Sequence, residues 1–156
     1  MTKIVRAEAS HVEAIGKLWW EFISFHQEIE PIFILDADSI QGFKESHLVP
    51  HMKSGDGLVL VAIEGTTTVG FSISEIRRTR PGLKREPYGY VDSMAVTAAY
   101  RRRGIATEMF AQITRWLESQ GIRRVELGTD ARNLMANSFW QKQGFITYHR
   151  ELYKRI

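Results

Sequence analysis

The chain contains no cysteine, which excludes disulfides, thiolate-bound metal and a cysteinyl acyl-enzyme intermediate. Long apolar runs are also missing. The longest, Leu58 to Ile63, falls far short of a membrane span, and the opening MTKIVRAEAS has no apolar stretch of the kind a secretion signal needs. A cytoplasmic protein with no membrane segment is expected. Internal repeats, linkers and low-complexity stretches are absent, so the 156 residues read as one domain built on one core. No spacing of zinc ligands, helix-turn-helix pattern or RNA-binding signature is present, so no metal is expected. The formal charge of +3 hides two basic clusters, Arg77, Arg78, Arg80, Lys84 and Arg85, and then Arg101 to Arg103. Such clusters suit nucleic acid, but a diphosphate needs the same charge locally, and no nucleic-acid partner is expected.

What the sequence does have is a strand, a polar turn and a helix start, between Val91 and Trp116. Apolar residues at Ile105, Met109, Phe110, Ile113, Trp116 and Leu117 recur at helical spacing directly after the turn Arg101–Arg102–Arg103–Gly104. The first turn of a helix has amides without an intrahelical partner and carries the positive end of the dipole, so it favours an anion. Gly104 and Ala106 are small enough to let that anion approach the backbone. A diphosphate suits the arrangement.

The pattern Arg-x-x-Gly-x-Ala, formed by Arg101, Gly104 and Ala106 after a strand ending Met-Ala-Val, resembles the coenzyme A signature of the GNAT acetyltransferases. Downstream, Asn133, Ala136, Phe139, Trp140, Gly144 and Phe145 resemble the second signature segment of the same superfamily. The resemblance covers essentially the whole chain. It implies a single-domain α/β fold of GNAT type, spanning residues 1–156, with a mixed, mostly antiparallel sheet flanked by helices. It also implies acetyl-coenzyme A (acetyl-CoA) as cofactor and transfer of acetyl to a primary amine, by direct attack in a ternary complex.

Read along the chain, Lys3 to Ala7 forms a first strand, and Ser10 with Glu13 has capping-box spacing for a helix running toward Glu28. Phe25 to Asp36 reads as a loop, followed by a second helix closed off by Gly55, Asp56 and Gly57. Leu58 to Glu64 and Thr68 to Arg77 pair as a hairpin, Thr79 to Pro87 is a loop, and Tyr88 to Val96 is the central strand. After the long helix, with its stop at Gly121, come a strand at Val125 to Thr129, a short helix at Asn133 to Lys142 and a last strand at Phe145 to Tyr153. The expected order is βααβββαβαβ. The family usually ends with two strands where this chain has room for one, leaving an edge that a second subunit could cover, so a homodimer is a candidate arrangement.

The resemblance places the cofactor arm against the backbone of Met94, Ala95 and Val96, and the diphosphate on Arg101, Arg102, Arg103, Gly104, Ile105, Ala106 and Thr107. An amide of Met94 or Val96 would polarise the thioester carbonyl, as an oxyanion donor does. Asn133, Ala136, Phe139 and Trp140 fall on positions lining the cofactor, although an asparagine at a helix start is equally a preferred N-cap and Phe139 equally a core residue. Proton transfer needs a base, because an alkylammonium has a pKa of about 10.4. Asp92, sharing a face of the central strand with Tyr88 and Tyr90, is the first candidate, and Glu75 on the neighbouring strand the second. Many family members carry a tyrosine acid where this chain has Trp140, whose indole is no practical acid; Tyr148 is the candidate substitute. Phe25, His26, Phe33, Tyr88 and Tyr90 suggest an aromatic-walled acceptor site for a small-molecule amine or a peptide amine. A non-catalytic acyl-coenzyme A binder is the alternative that the missing tyrosine leaves open.

Overall fold

The computed structural model describes residues 1–156. Five strands form one sheet in sequence order: β1 (Lys3–Arg6), β2 (Gly57–Glu64), β3 (Thr67–Arg77), β4 (Tyr88–Val96) and β5 (Val125–Leu127). The first four pair antiparallel and β5 lies parallel to β4. Alternation along β2 explains the layers. Leu58 and Leu60 join Val91, Met109, Ile113, Leu117 and Trp140 in a core beneath helices α4 (Ile105–Ser119) and α5 (Leu134–Lys142). Val59 and Val61 point the other way, into a second core with Ile15, Leu18, Phe43, Leu48, Phe71 and Ile73 beneath α1 (Val12–Ile29) and the helices that follow it.

The second expected helix is one continuous run built of α2 (Ser39–Phe43), a π-helical turn (Lys44–Leu48) and α3 (Val49–Lys53). Its two ends are anchored by close contacts. The Trp19 and Phe43 rings stack at 4.4 Å, and Gly57 passes so close to the His51 carbonyl that a methyl group there would overlap it. No helix is long and apolar enough to cross a membrane.

Three expectations need correction. Ser10 and Glu13 form no capping box; the one present is formed by Glu8 and His11 around the 3-10 turn Ala9–His11 that leads into α1, where the Glu8 amide donates to His11 Nδ1 at 3.0 Å. Residues Phe25 to Ile29 belong to α1, not to a loop, because their apolar side continues the helical stripe until Pro31. The last strand, Phe145 to Tyr153, does not form, so the order ends on a helix. Phe145 is drawn into the aromatic core against Phe110 and Trp140, and β5 has only three residues to offer as a ladder. The remainder of the tail alternates no clean apolar face, and Ile146, Leu152 and Tyr153 stand exposed.

Candidate active site

The site is organised by a fork in the sheet. β4 and β5 pair only from Gly89–Val125 to Val91–Leu127, and beyond that they part. A bulge begins at the next residue: Val91 pairs with Ser74 and Ser93 with Ile73, leaving Asp92 as the extra residue. The Thr97 amide bonds Val69 on β3 at 2.9 Å, so by alternation Met94 and Val96 turn their backbone groups away from β3 and into the gap, whereas Ala95 turns its own toward β3. Of the three backbone positions expected to receive a cofactor arm, two therefore face the fork.

At the far end of β4 lies the turn. Arg102 and Gly104 both adopt positive φ, at 64° and 78°, which curls the chain so that α4 starts with its amides exposed. The Glu108 amide closes the first helical bond on Gly104, and no side chain caps the amides of Ile105, Ala106 and Thr107. Open space surrounds the α-carbon of Gly104. The three arginines divide in role. Arg101 donates to the Val96 carbonyl at 2.9 Å and approaches Glu21 at 3.7 Å, and Arg103 donates to the Ala99 carbonyl while lying over Tyr100, so these two brace the turn. Arg102 is exposed and has no protein partner. Glu21, which the sequence reading missed, holds the turn against α1 through the Thr97 hydroxyl at 2.8 Å and the Ala98 amide at 3.2 Å.

On the helical face of the fork, Asp92 receives hydrogen bonds from His47 Nε2 at 2.7 Å and from the Ser93 hydroxyl at 2.8 Å. Burial pushes the Asp92 carboxyl up, but the bonds from His47 and Ser93 outweigh it and hold the group below its ordinary value. The hydrogen bond to Asp92 likewise raises His47 above the usual histidine value, against the opposing effect of burial. Beside this pair, His51 Nε2 meets Glu75 at 3.1 Å and its Nδ1 bonds the His47 carbonyl at 2.7 Å. Glu75 also takes Arg77 at 2.6 Å, and the Arg77 guanidinium lies 3.4 Å over the Tyr90 ring. Tyr88, Tyr90 and Asp92 share the face expected of them, with Glu75 and Arg77 across the strand. Neither His47 nor His51 was singled out from the sequence. Their spacing of four residues on one helix was the available signal.

Other expected residues lie differently. Asn133 caps α5, its side-chain oxygen accepting from the Ala136 amide at 3.1 Å. Trp140 is buried edge-to-face against Phe110, Phe139 and Phe145, and Ala136 packs beside that core. Tyr148 donates to Glu126 at 2.7 Å, on the paired stretch of β5 before the fork, so the structure does not bring it to Asp92. Tyr88 lies under Arg85, which bonds the same Glu126. Phe25 is exposed on the last turns of α1, His26 bonds the Phe22 carbonyl at 2.8 Å, and Gln27 folds the Phe33 backbone back onto the helix at 2.9 Å. The buried Glu30 joins Arg132, itself paired with Asp130, and ties the end of α1 to the segment after β5. Because α1 also packs on β3 and holds the turn after β4, it lies across the mouth of the fork.

A family model described as the acetyltransferase (GNAT) family matches residues 14–145. The chain belongs to that family. Among curated relatives of this GNAT protein, aminoglycoside N(6')-acetyltransferase type 1 of Salmonella typhimurium is 24% identical over 120 residues, 76% of this chain and 77% of the relative. N-alpha-acetyltransferase 30 of Schizosaccharomyces pombe is 33% identical over 62 residues, 40% of this chain and 41% of the relative. Of solved structures, the BH1408 protein of Bacillus halodurans in a tetramutant form superposes with a TM-score of 0.86 at 16% identity, covering 99% of both chains. The aminoglycoside acetyltransferase AAC(6')-Iy, in complex with the bisubstrate analogue CoA-S-monomethyl-acetylneamine, gives 0.73 at 20% identity, covering 100% of this chain and 98% of that one.

As a GNAT acetyltransferase the protein takes its acetyl group from acetyl-CoA. The features above fit that donor: a row of backbone groups facing the fork, then an uncapped helix start with a free arginine and an open glycine, in that order along one edge of the fold.

Proposed function

We propose that this GNAT acetyltransferase acetylates the primary amine of a small cationic molecule, by direct attack of the amine on the thioester within a ternary complex. The observation that carries this reading is the position of the Asp92–His47 pair at the apex of the fork. Backbone groups of Met94 and Val96 point into the fork from one strand edge, and a proton-accepting pair stands where the edge begins. Holding both reactants in that gap removes the entropic cost of an encounter, which is a large part of the barrier. The absence of cysteine agrees with direct attack rather than an acyl-enzyme on thiol.

A cationic acceptor is supported by Asp92 and Glu75 beside the apex of the fork and by the aromatic residues Phe25, Phe33 and Tyr90, whereas Glu30 and Asp130 are already paired with Arg132. The similarity to aminoglycoside acetyltransferases makes aminoglycosides the first acceptors to test, with peptide amines as the comparison. A polyanion partner gains no support from the first basic cluster, in which Arg77, Arg78 and Arg85 pair with Glu75, Asp56 and Glu126. We also propose a homodimer in which a second copy covers the outer edge of β5 and the exposed Ile146, Leu152 and Tyr153 of the tail. The test of the catalytic reading is a panel of amines assayed for amine-dependent release of thiol from acetyl-CoA. Initial rates varied in both substrates should give intersecting lines, and parallel lines would overturn direct attack.

A further inference from the structure

The hydrogen bonds at the fork settle which atom is free to act. Asp92 is a carboxylate that only accepts, so the His47 nitrogen facing it, Nε2, must carry its proton for the 2.7 Å bond to form. In the neutral ring the lone pair then lies on Nδ1, and Nδ1 has no protein partner although the side chain keeps 35% of its accessibility. Asp92 itself is fixed from two sides, by His47 and by the Ser93 hydroxyl, and as the bulge residue its direction is set by the backbone. His47 lies in the π-helical turn, whose widened backbone is anchored on both sides by Phe43 and Leu48 in the core.

We propose that Nδ1 of His47 is the atom that takes the proton from the acceptor amine, with Asp92 a positioning residue that holds the ring in the required tautomer. The proposal rests on the acetyl-transfer reading and deepens it. In the transfer, one proton of the ammonium passes to Nδ1 and later to water. The amine nitrogen forms its bond to the acetyl carbon as the carbon–sulfur bond breaks, and the second proton leaves with the departing thiol. The groups facing His47 are Asp92 and Ser93 from β4, Glu75 and Arg77 from β3, and His51 on its own helical run. Asp92 and Glu75 favour the imidazolium, while burial and Arg77 oppose it, and the net direction is upward from the ordinary histidine value. Asp92, held low, is the weaker base of the pair.

The test combines kinetics and ring NMR on the intact protein. In the wild type, kcat should rise with pH along a limb of unit slope and then level. His47→Gln should lower kcat by about a hundredfold or more and remove that limb, with coenzyme A affinity unchanged. Asp92→Asn should move the limb to lower pH, because the ring loses the charge that holds its proton. Nitrogen shifts of the neutral His47 ring, recorded without any amine, should show the proton on Nε2. A limb retained in His47→Gln, or a neutral ring protonated on Nδ1, overturns the assignment. A wild type that binds coenzyme A and acetylates no amine overturns the acetyl-transfer reading and the base with it; the amine-free spectrum tells the two failures apart.

Discussion

Asp92 and His47 exchange more than a hydrogen bond, because each changes the other's proton affinity and so ties stability to pH. His47 is raised on folding, so its contribution is fully present below its unfolded value of about 6.5 and is lost as pH rises through the folded one. Asp92 is lowered, so its contribution is present above about 3.9 and is lost as pH falls through its folded value. The stability lost in Asp92→Asn, measured by urea unfolding, should therefore be largest near pH 5.5 and clearly smaller at pH 9; a difference that grows with pH would contradict the pairing. Gly104 supplies a second prediction at this scale. Its φ of 78° is one a β-branched residue adopts only under strain, and the space around it is open, so Gly104→Val costs strain without collision. The expected result is at least a tenfold loss of coenzyme A affinity, with stability reduced by about 1–3 kcal/mol. Unchanged affinity would remove the diphosphate from this turn. Gly104 and Asp92 were both legible in the sequence, since a glycine before a helix and a carboxylate on an apolar strand stand out locally. His47 was not, because its four-residue spacing from His51 gives only a shared helix face, and its partner Asp92, distant in sequence, is brought within 2.7 Å by the fold.

Among the elements, the central strand and the two helices after it have boundaries that periodicity predicts within a few residues, because strong alternation and a clear glycine stop mark them. The bulge was hidden. One extra residue changes no composition, yet it brings Ser93 onto the face of Asp92, shifts the alternation of the residues that follow, and coincides with the parting of β4 from β5. The expectation of a loop at Phe25 failed for a related reason: Pro31 marks where a helix must stop, and the apolar stretch before it reads as loop or helix alike until packing settles it. Position of the histidine-bearing run depends on its closest backbone contact. A β-carbon at Gly57 would overlap the His51 carbonyl, a neighbour that cannot rotate away. Gly57→Ala should destabilise the protein by about 1–3 kcal/mol and lower acetylation through displaced His47 and His51. Wild-type stability together with wild-type kcat would show that the run is not held there.

At the scale of the molecule, a sheet with helices on both faces follows from β2 alone, whose odd and even residues feed two different cores. The tail is the exception. Sequence makes Phe145 to Tyr153 a strand, but β5 is too short to template one, and a short edge with exposed apolar residues beside it calls for a cover. Light scattering should return a dimer mass for the wild type and a shift toward monomer for Ile146→Glu/Leu152→Glu; a wild-type monomer at tens of micromolar would contradict the proposed cover. The measurement that bears most directly on the whole account is thiol release from acetyl-CoA near pH 8, with and without an aminoglycoside or simple alkylamine. The account predicts saturable, amine-dependent release, with one acetylated amine formed for each thiol. Binding of acetyl-CoA with thiol release that no amine accelerates would contradict it, and would leave a protein that holds the donor without transferring from it.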